Sequence, residues 1–548
     1  MSMSALQPLS LGISSFRSLR IKRAVYVDKT HMIRALADPS GEGGKWFLAR
    51  PRRFGKSLLI STFESLFKYG LRDFEGLAIT RDWTDRCYDV VRLDFSEIPS
   101  CRDPDAFGVG FRALIAIKFK PLGFEAEPLD GAFFQKFSGW LEARERRSLV
   151  LLIDECDAPL TNSIEDPTLF REIEEQLRPF FSALKARSDC LRFLFMTGTT
   201  RFVYAQALTG FDGVTDISFD PAYGTLLGFT DDELERCFPG RLQSAAERLG
   251  LPVEKLRARL KASYAGYCFD AEGQTEVYSP WSVLSFLRAP ELGFRNHWWL
   301  TAGAPSDLLK KHVRHRMSGA CRSGRFDGMV KVPFSRLQSA LQWEDLESPQ
   351  LLQQTGCLSV KGSDWSGDVE LGYPNLEVAA SFAQLAEEEL TRGRVWSRPD
   401  LVRALSRGCV STVVDYLNTV VSSMDGRAFS LGSDAECRFF LHMVMMKVAL
   451  LPQVEVPSPD GRTRLEMLAG DRHWVFEVRF SQGAHDLAGQ LEAGARRMCE
   501  SSGRDRLHGN KCLHAALIFD SAQRCFVALE AEEGAGCRAS DDINRISK

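Results

Sequence analysis

A phosphate-binding loop is indicated by the segment 46–57. Its apolar start is typical of a strand and leads into the turn Arg-Pro-Arg-Arg-Phe, after which Gly55-Lys56-Ser57 begin a helical pattern. In such loops the glycine lets the backbone approach a phosphate, the lysine brings a positive charge to the outer phosphates, and the serine ligates magnesium. The usual first glycine, five residues before Gly55, is Arg50 here. The alternative is a basic turn before an ordinary helix.

A second segment favours the phosphate-binding loop over that alternative. Residues 149–153 are a continuous apolar run that ends in Asp154 and Glu155, as expected of a central parallel strand buried on both faces. Asp154 is placed to hold magnesium, and Glu155 to polarise a water for attack on a γ-phosphate. Because many apolar strands end in a surface carboxylate, the inference rests on the pairing of this strand with the Gly-Lys-Ser segment about 100 residues earlier. The combination predicts ATP and Mg²⁺ as ligands.

The first 225 residues alternate strand-like runs with helical patterns. This alternation predicts an α/β fold, in which a parallel sheet is covered by helices on both faces. Thr197 and Arg201 follow the last strand, at the edge where such folds place ligands, so both are candidates for contact with the γ-phosphate. A helix N-cap or a surface ion pair is the alternative. The predicted strands are 45–49, 90–95, 149–153 and 192–197, and the predicted helices lie near 56–69, 104–119, 131–146 and 167–188.

Composition restricts the class of protein. The formal net charge of −3 gives no overall attraction to nucleic acid or to an anionic membrane. The 14 cysteines are scattered, without a Cys-x-x-Cys pair or a histidine pair at zinc spacing, which favours reduced thiols in a cytoplasmic protein. No apolar run approaches ~20 residues, so no membrane span is expected. The length predicts about three or four domains, of which residues 1–225 are the first.

A small helical lid domain is predicted for residues 226–305. Thr230 is placed as the N-cap of a helix, and Glu233 would close a capping box with it. Aromatic residues are frequent here, and the packing of a small domain explains them better than a cofactor-binding cluster. They are Tyr264, Tyr267, Phe269, Tyr278, Trp281, Trp298 and Trp299.

Residues 306–430 are predicted to form a helical connector with a winged-helix-like part. The densest basic stretch of the chain, residues 310–325, lies within it. Such a stretch can contact phosphate backbones, although a solvated helix face is the more common role. Together with the basic residues of 462–506, it is the predicted contact for a DNA or RNA partner. A protein partner or a homo-oligomer is the alternative.

Residues 431–530 have the pattern of a second α/β domain. A helix is predicted from Asp434 to Leu450, and another near 484–499. The tail 531–548 is polar and rich in Gly and Ser, and is predicted to be disordered. The strands predicted for this domain are 464–468, 473–480, 512–519 and 524–529.

Taken together, these segments resemble a bacterial family that joins an N-terminal AAA-ATPase-like domain to a C-terminal domain of the PD-(D/E)XK nuclease superfamily. This family looks like one that uses Arg-Pro-Arg-Arg-Phe-Gly-Lys-Ser as its phosphate loop, so the resemblance makes Arg50 a family trait. It implies a P-loop domain of the additional-strand type and, by analogy alone, a role in defence or mobile elements. The resemblance is carried by Tyr26–Thr30, Arg50–Ser57, Leu152–Leu160, Asp216–Ser218, Gly228–Thr230, Tyr264–Tyr267 and Val277–Ser282.

The motifs and the resemblance together assign roles in the ATPase half. Lys56 would bind the β- and γ-phosphates, Ser57 and Asp154 would hold Mg²⁺, and Glu155 would orient the attacking water. Arg52 or Arg53 would contact the nucleotide or a neighbouring subunit. The other predicted contacts of the nucleotide are Phe54, Gly55, Leu58, Thr197 and Arg201.

The nuclease-like half departs from the family pattern. Members resemble Gly-Arg-x-Asp followed by Glu-x-Lys and a helical Gln, whereas here Arg464 replaces the Asp and Arg479 replaces the Lys. Glu477 is then half of a carboxylate pair, while magnesium prefers several hard oxygen ligands and an arginine cannot act as a base. Glu466 or Asp471 would have to restore the site. The family positions that are retained are Glu436, Glu477 and Gln490.

The sequence therefore predicts an ATP-hydrolysing protein whose nucleotide cycle controls a degenerate nuclease-fold domain that contacts nucleic acid or protein. One alternative is an active, ATP-gated and Mg²⁺-dependent nuclease, with Glu477 and Gln490 as catalytic residues. Another is a nucleotide-bound scaffold that does not hydrolyse ATP and recruits a partner protein.

Overall fold

The computed structural model divides the chain into two compact units. Unit 1 comprises residues 1–308 and 330–375, and unit 2 comprises 309–329 and 376–548. Residues 376–430 thus belong with the C-terminal part of the chain, whereas the sequence predicted a boundary at 430. The structure describes residues 7–38, 44–99, 102–164, 166–202, 213–297, 330–339, 349–390, 398–424, 431–447, 453–457, 463–469, 472–482, 511–532 and 538–539. Over these ranges no helix is long and apolar enough to cross a membrane.

Unit 1 is built on a five-stranded parallel sheet, which confirms the predicted α/β fold. The strand order is β2-β3-β4-β1-β5, and every neighbouring pair is parallel. All residues of β3 and β4 are buried, because these central strands are covered on both faces. β5 was not predicted, since a strand of two residues leaves no periodic pattern. The strands are β1 (Lys45–Ala49), β2 (Asp89–Asp94), β3 (Leu149–Asp154), β4 (Leu191–Gly198) and β5 (Thr215–Asp216).

Helices pack on the two faces of this sheet. Alternate residues of β4 point to opposite sides: Phe193 and Phe195 contact the ring of Phe63 on α3, while Leu194 and Met196 join the core formed with α4, α5 and α7. The four predicted helices are observed, two of them with unchanged bounds. The helices of this part are α1 (Phe16–Ile21), α2 (Thr30–Leu36), α3 (Lys56–Tyr69), α4 (Pro104–Phe119), α5 (Phe133–Glu142), α6 (Ala158–Asn162) and α7 (Pro167–Ala186).

Residues 226–297 are mainly helical, as predicted. The predicted capping box is confirmed, because the Thr230 hydroxyl accepts from the Glu233 N–H at 3.3 Å and Glu233 Oε2 accepts from the Thr230 N–H at 2.9 Å. The aromatic side chains of Tyr264, Tyr267 and Tyr278 are buried, so they pack the domain. Trp298 and Trp299 lie outside the described residues. The elements are α8 (Asp231–Cys237), α9 (Pro239–Leu249), α10 (Val253–Tyr264) and α11 (Pro280–Arg288), with a hairpin of β6 (Tyr267–Cys268) and β7 (Glu276–Val277).

Residues 330–375 contain a three-stranded antiparallel sheet, in the region predicted as a helical connector with a winged-helix-like part. Its order is β8-β10-β9. Asp364 organises the turn between β9 and β10 by accepting from the N–H groups of Ser366 and Asp368, and Gly367 has a φ of 84°. Strands this short give a weak periodic signal. The elements are β8 (Val330–Pro333), α12 (Phe334–Gln338), α13 (Pro349–Gln354), β9 (Ser359–Ser363) and β10 (Asp368–Gly372). The basic stretch 310–325 lies outside the described residues.

Unit 2 contains a six-stranded mixed sheet whose strands follow the chain order. Neighbouring strands are antiparallel except β13 and β14, which are parallel. Apolar side chains from one face, among them Trp474 and Phe476, form a core with Val413 and Leu417. The elements are α14 (Leu376–Leu390), α15 (Arg398–Arg407), α16 (Val410–Ser423), α17 (Asp434–Lys447), β11 (Gln453–Pro457), β12 (Thr463–Ala469), β13 (Arg472–Ser481), β14 (Lys511–Asp520), β15 (Cys525–Glu532) and β16 (Arg538–Ala539).

The four strands predicted between residues 464 and 529 are all observed, but the end of the last strand and the start of the predicted disordered tail differ from the prediction. β15 continues to Glu532 because Ala531 pairs with His514 of β14, and Arg538–Ala539 add a short edge strand. The predicted disordered tail therefore does not begin at residue 531, since strand pairing outweighs the polar composition there. The predicted helix near 484–499 lies outside the described residues.

α17 carries a buried histidine, His442. Neither of its ring nitrogens has a hydrogen-bond partner among the residues that the structure describes. Desolvation by this burial lowers the pKa of His442 to about 4. The folded state therefore disfavours the protonated imidazole, while the unfolded chain binds a proton near the ordinary pKa of about 6.5.

We expect unit 2 to lose stability in acid through His442. Because the folded pKa lies below the unfolded one, stability is complete above pH ~6.5 and falls as the pH drops towards ~4. The free energy of unfolding should decrease by about 2 kcal/mol between pH 7 and pH 5 from this group. In calorimetry at both pH values, His442→Leu should show a smaller pH dependence, whereas His31→Leu, at an exposed histidine, should match the wild type. Equal pH dependence in all three proteins would contradict this assignment.

Candidate nucleotide-binding site

The phosphate loop, defined as residues 50–55, joins β1 to α3. Gly55 caps α3 with φ 100° and ψ 18°, a left-handed conformation that glycine adopts at little cost. A Cβ at Gly55 would meet no atom closer than 3.9 Å, so the backbone conformation rather than crowding requires glycine. The first N–H groups of α3 have no partner within the helix and carry the positive end of its dipole. The loop and helix therefore form an anion-binding geometry.

Arg50, which stands in place of the usual first glycine, anchors the loop from inside. Its guanidinium donates to the carbonyls of Ala49 at 2.9 Å, Ser218 at 2.7 Å and Tyr223 at 3.2 Å. Its Cζ lies 3.9 Å from the centre of the Phe269 ring. Burial lowers the pKa of Arg50 to about 9, so the side chain stays charged at neutral pH. The substitution thus exchanges a flexible residue for a buried cross-link between β1, the segment after β5 and the β6–β7 hairpin.

Two other loop residues contact the region of residues 226–297. Phe54 is buried and meets the rings of Tyr267 and Phe269 edge-on, with centroid distances of 4.8 and 5.5 Å. Arg53 has a φ of 67° and stacks its guanidinium 4.4 Å from the Trp281 ring centre. Aromatic and cation–π contacts therefore set the loop conformation where the usual first glycine is missing.

The side chain of Lys56 is buried beside three carboxylates. Its ammonium donates to the carbonyls of Arg50 at 2.8 Å and Pro51 at 3.1 Å, and to Thr199 Oγ1 at 3.3 Å. Burial lowers the pKa of Lys56, while the negative charges of Glu155, Asp157 and Asp154 oppose that shift. All three of its N–H bonds thus go to neutral oxygens, which the oxygens of a phosphate could replace.

Asp154 and Glu155 lie at the carboxyl end of β3, and their surroundings differ. Asp154 is fully buried, with Oδ1 accepting from Thr197 Oγ1 at 2.8 Å and Oδ2 facing Arg92 at 3.4 Å. Glu155 has a φ of 47°, an unusual conformation for a residue other than glycine. Burial raises the pKa of Glu155, and the positive charge of Lys56 opposes this. Backbone strain at such a position is typical of functional sites.

Asp157 organises the end of β4, a role that the sequence analysis did not assign. Its carboxylate accepts from the N–H groups of Thr199 and Thr200, the latter at 2.7 Å, and from the Thr200 hydroxyl at 2.7 Å. These bonds hold Thr199 against Lys56. The sequence signal was available, because Asp157 lies in the motif after β3, but the groups that donate to it are more than 40 residues away.

A cavity of ≈570 Å³ opens over the phosphate loop, within the size range of about 300–1,000 Å³ that is usual for ligand sites. Its lining combines charged side chains, namely Arg52, Arg53, Lys56 and Glu155, with apolar ones that include Leu227 and Trp281. The sequence analysis missed the N-terminal segment 10–14 as a wall of the site, since it carries no motif of its own.

A buried ion pair ties the start of the chain to α8 beside this cavity. The Lys29 ammonium contacts Glu233 Oε2 at 2.9 Å and donates to the Thr225 carbonyl. Burial lowers the pKa of Lys29, and the Glu233 carboxylate opposes the shift. The same carboxylate closes the capping box at Thr230, so one acidic residue fixes two elements at the cavity wall.

The structure brings most of the predicted site residues of the ATPase half together. Asp154 and Thr197 hydrogen-bond to each other, and the charge of Asp154 acts on Lys56. Arg201 is buried, pairs with Asp216 and donates to the Leu337 carbonyl at 2.6 Å. Its contact with the γ-phosphate stays a prediction. The predicted residues that line the cavity are Arg52, Arg53, Phe54, Gly55, Lys56, Ser57, Leu58 and Glu155.

Segment 349–358 supports the phosphate loop from behind. A Cβ on Gly356 would lie 2.8 Å from the Pro51 Cβ, and Gly356 has a φ of 85°, so both space and conformation require glycine. Gln354 Oε1 accepts from the Arg201 N–H at 2.9 Å. The observed partners of Arg201 therefore give it a structural role between the sheet and this segment.

The predicted nuclease-like residues form an ion-pair network in unit 2. Arg479 contacts Asp434 Oδ2 at 2.9 Å and Glu477 Oε1 at 3.2 Å. Glu436 caps its helix by accepting from the Gly432 N–H at 2.6 Å, and Glu466 lies 3.3 Å from His473. Asp471, Gln490 and the side chain of Arg464 lie outside what the structure describes. Among the described residues, no three His, Cys, Asp or Glu side chains are grouped to hold a metal ion.

The parallel sheet, the position of β4 between β1 and β3, and the loop before α3 define the N-terminal part as a P-loop NTPase fold. Residues 10–207 match the family model described as predicted AAA-ATPase. The chain is also 30% identical over 382 residues to an uncharacterised protein encoded in the vnfD 5′ region of Azotobacter chroococcum mcd 1, covering 68% of this chain and 69% of that protein. The chain belongs to this AAA-ATPase-like family.

The chain is also similar to one solved structure, the crystal structure of Cdc6p from Pyrobaculum aerophilum. The match covers 70% of this chain and 97% of that chain, at 12% sequence identity and a TM-score of 0.23. A similarity this low supports no statement about the fold or the function of this chain.

We expect Arg50→Gly to destabilise the protein, although it restores the glycine of the common pattern. The change removes three buried hydrogen bonds and a charge stacked on Phe269, at a cost of about 3 kcal/mol in the free energy of unfolding of unit 1. Urea unfolding of the ligand-free protein measures this loss. Arg52→Gly is the matched control, because Arg52 is exposed, and it should cost about 1 kcal/mol or less. Similar losses in both variants would contradict the anchoring role.

Proposed function

We propose that the protein binds and hydrolyses ATP with Mg²⁺. The observation that carries this proposal is the grouping of Lys56 and Glu155 in the lining of one cavity, with Asp154 and Asp157 close enough to Lys56 for their charges to act on it. The family supports nucleotide binding in general, and the arrangement of carboxylates at the end of β3 supports hydrolysis.

The residues present fit both ligands. Ser57 in the first turn of α3 and Asp154 at the end of β3 offer the hard oxygen atoms that Mg²⁺ prefers. The apolar side chains of the cavity lining suit a base and ribose, and its charged side chains suit phosphates. When bound, Mg²⁺ would neutralise charge that develops on the phosphate oxygens.

Three residues of the chain would have distinct roles in this reaction. The Lys56 ammonium would exchange the carbonyls of Arg50 and Pro51 for phosphate oxygens, which is favoured because a charged acceptor binds an ammonium more strongly. Glu155 would accept a hydrogen bond from the attacking water and orient it. Asp157 would keep Thr199 beside Lys56 throughout, because its own bonds go to backbone N–H groups and not to the ligand.

Two substitutions separate binding from turnover. Lys56→Ala should weaken the binding of a fluorescent ATP analogue by about 100-fold, since it removes the buried charge of the loop. Glu155→Gln should retain binding and lower the rate of ATP hydrolysis by about 100-fold, because the amide cannot take up the water proton. Lys68→Ala, an exposed lysine of the same helix, is the matched control. A wild-type protein that binds ATP without turnover would instead support the scaffold alternative.

For unit 2 we propose a nuclease-like fold that has lost its catalytic centre and serves as a contact surface under the control of the ATP cycle. The proposal is supported by a helix followed by β11, β12 and β13, and by β14 joining parallel to β13. It is further supported by Arg479, which neutralises Glu477 and Asp434 where a metal would need free carboxylates.

This proposal predicts no cleavage of nucleic acid. Incubation of the wild type with single-stranded DNA, duplex DNA and RNA, with ATP and either Mg²⁺ or Mn²⁺, should leave each intact. ATP turnover measured in the same mixtures should rise with a nucleic acid if that is the partner of unit 2. Metal-dependent cleavage that disappears in Glu477→Gln but persists in Asp415→Asn, at an exposed carboxylate of α16, would establish the ATP-gated nuclease instead.

A further inference from the structure

Arg92 is a cation beside the carboxylate that is proposed to hold magnesium. It lies on β2, the edge strand of the sheet, where its neighbour on β3 is Leu152. One guanidinium nitrogen lies 3.4 Å from Asp154 Oδ2, and the other lies 3.7 Å from Glu64 Oε2 on α3. The Arg92 side chain is 28% exposed, whereas that of Asp154 is 1% exposed. A partly solvated cation therefore contacts a buried anion.

Arg92 provides the positive charge that the buried carboxylate of Asp154 requires in this structure. A buried carboxylate without a counter-charge is strongly unfavourable. Thr197 supplies one neutral hydrogen bond to Oδ1, and Lys56 directs its own N–H bonds to Arg50, Pro51 and Thr199. The closest charged contact to Asp154 among the described residues is thus Arg92, on Oδ2.

We propose that Arg92 holds the place of Mg²⁺ at Asp154 and moves to Glu64 when the metal binds. This inference rests on the proposed function of the site. A guanidinium and a divalent cation cannot share the same carboxylate oxygen at short range without repulsion. Glu64 already contacts Arg92, so the side chain has a second acidic partner on the solvent side. Arg92 is a positioning residue, which sets how much Mg²⁺ the site needs.

The proposal makes two predictions of opposite sign for Arg92→Ala. Without the competing cation, the half-saturating Mg²⁺ concentration should fall by about five-fold, as expected from one partly exposed ion pair. Without Mg²⁺, the uncompensated charge of Asp154 should repel the phosphates, and ATP should bind about five-fold more weakly. A residue that merely stabilises the fold would not move these two quantities in opposite directions.

The experiment is a titration of the full-length protein with a fluorescent ATP analogue, in EDTA and then at increasing Mg²⁺. Lys118→Ala is the matched control, because Lys118 is a similarly exposed cation, paired with Glu97 at 2.9 Å, in the same surface cavity as Arg92. Arg92→Lys should lie between wild type and Arg92→Ala. Glu64→Gln, which removes the second partner, should raise the half-saturating Mg²⁺ concentration, and it tests the proposal even if Arg92→Ala fails to fold.

The outcomes separate this inference from the proposed function. If the wild type binds no nucleotide with Mg²⁺, both fail. If the wild type binds and Arg92→Ala weakens binding equally with and without Mg²⁺, Arg92 contacts the phosphates directly and the inference alone is overturned. An unchanged Mg²⁺ dependence in both Arg92→Ala and Glu64→Gln also overturns it.

Discussion

The burial of negative charge at the end of β3 governs the architecture of unit 1. Asp154 and Asp157 are buried, and each must be paired where water cannot solvate it. Asp154 is matched by Thr197 and Arg92, and Asp157 by the N–H groups of Thr199 and Thr200. Because these partners lie on β2, on β4 and directly after β4, the strand order of the sheet is what makes the site electrostatically acceptable.

The same buried negative charge explains why Lys56 is held beside the phosphate loop. Lys56 is attracted by three carboxylates and yet bonds to neutral oxygens, which leaves its charge available to an anionic ligand. The loop itself is held in place because Arg50 and Phe54 are buried against other segments. A lysine bonded to neutral oxygens, on a loop held by buried contacts, suits phosphate binding, because little of the loop has to become ordered when the ligand binds.

Much of this could be predicted from sequence, and the failures share one cause. The Gly-Lys-Ser segment and the apolar run before Asp154 are local patterns, so the strand, the loop and α3 were located correctly. The anchoring of Arg50 depends on Ser218 and Tyr223, about 170 residues away, and no local pattern reports such contacts. The partners of Arg201 could not be predicted for the same reason, since Leu337 and Gln354 are more than 130 residues away. In unit 2 the strands were predictable from alternation, while the pairing of Arg479 with Asp434 depends on how α17 packs against β13.

The contact between Gly356 and Pro51 has a consequence for the limits of the ATPase-like domain. The family similarity ends at residue 207, but the ring of Pro51 lies against a segment about 300 residues later in the chain. Arg201 depends on the same region through Gln354. A shortened chain that stops before Val330 would keep every sequence motif of the phosphate loop and lose the surface against which the loop is shaped. The smallest self-supporting form of this domain therefore extends to the end of unit 1, near Asn375.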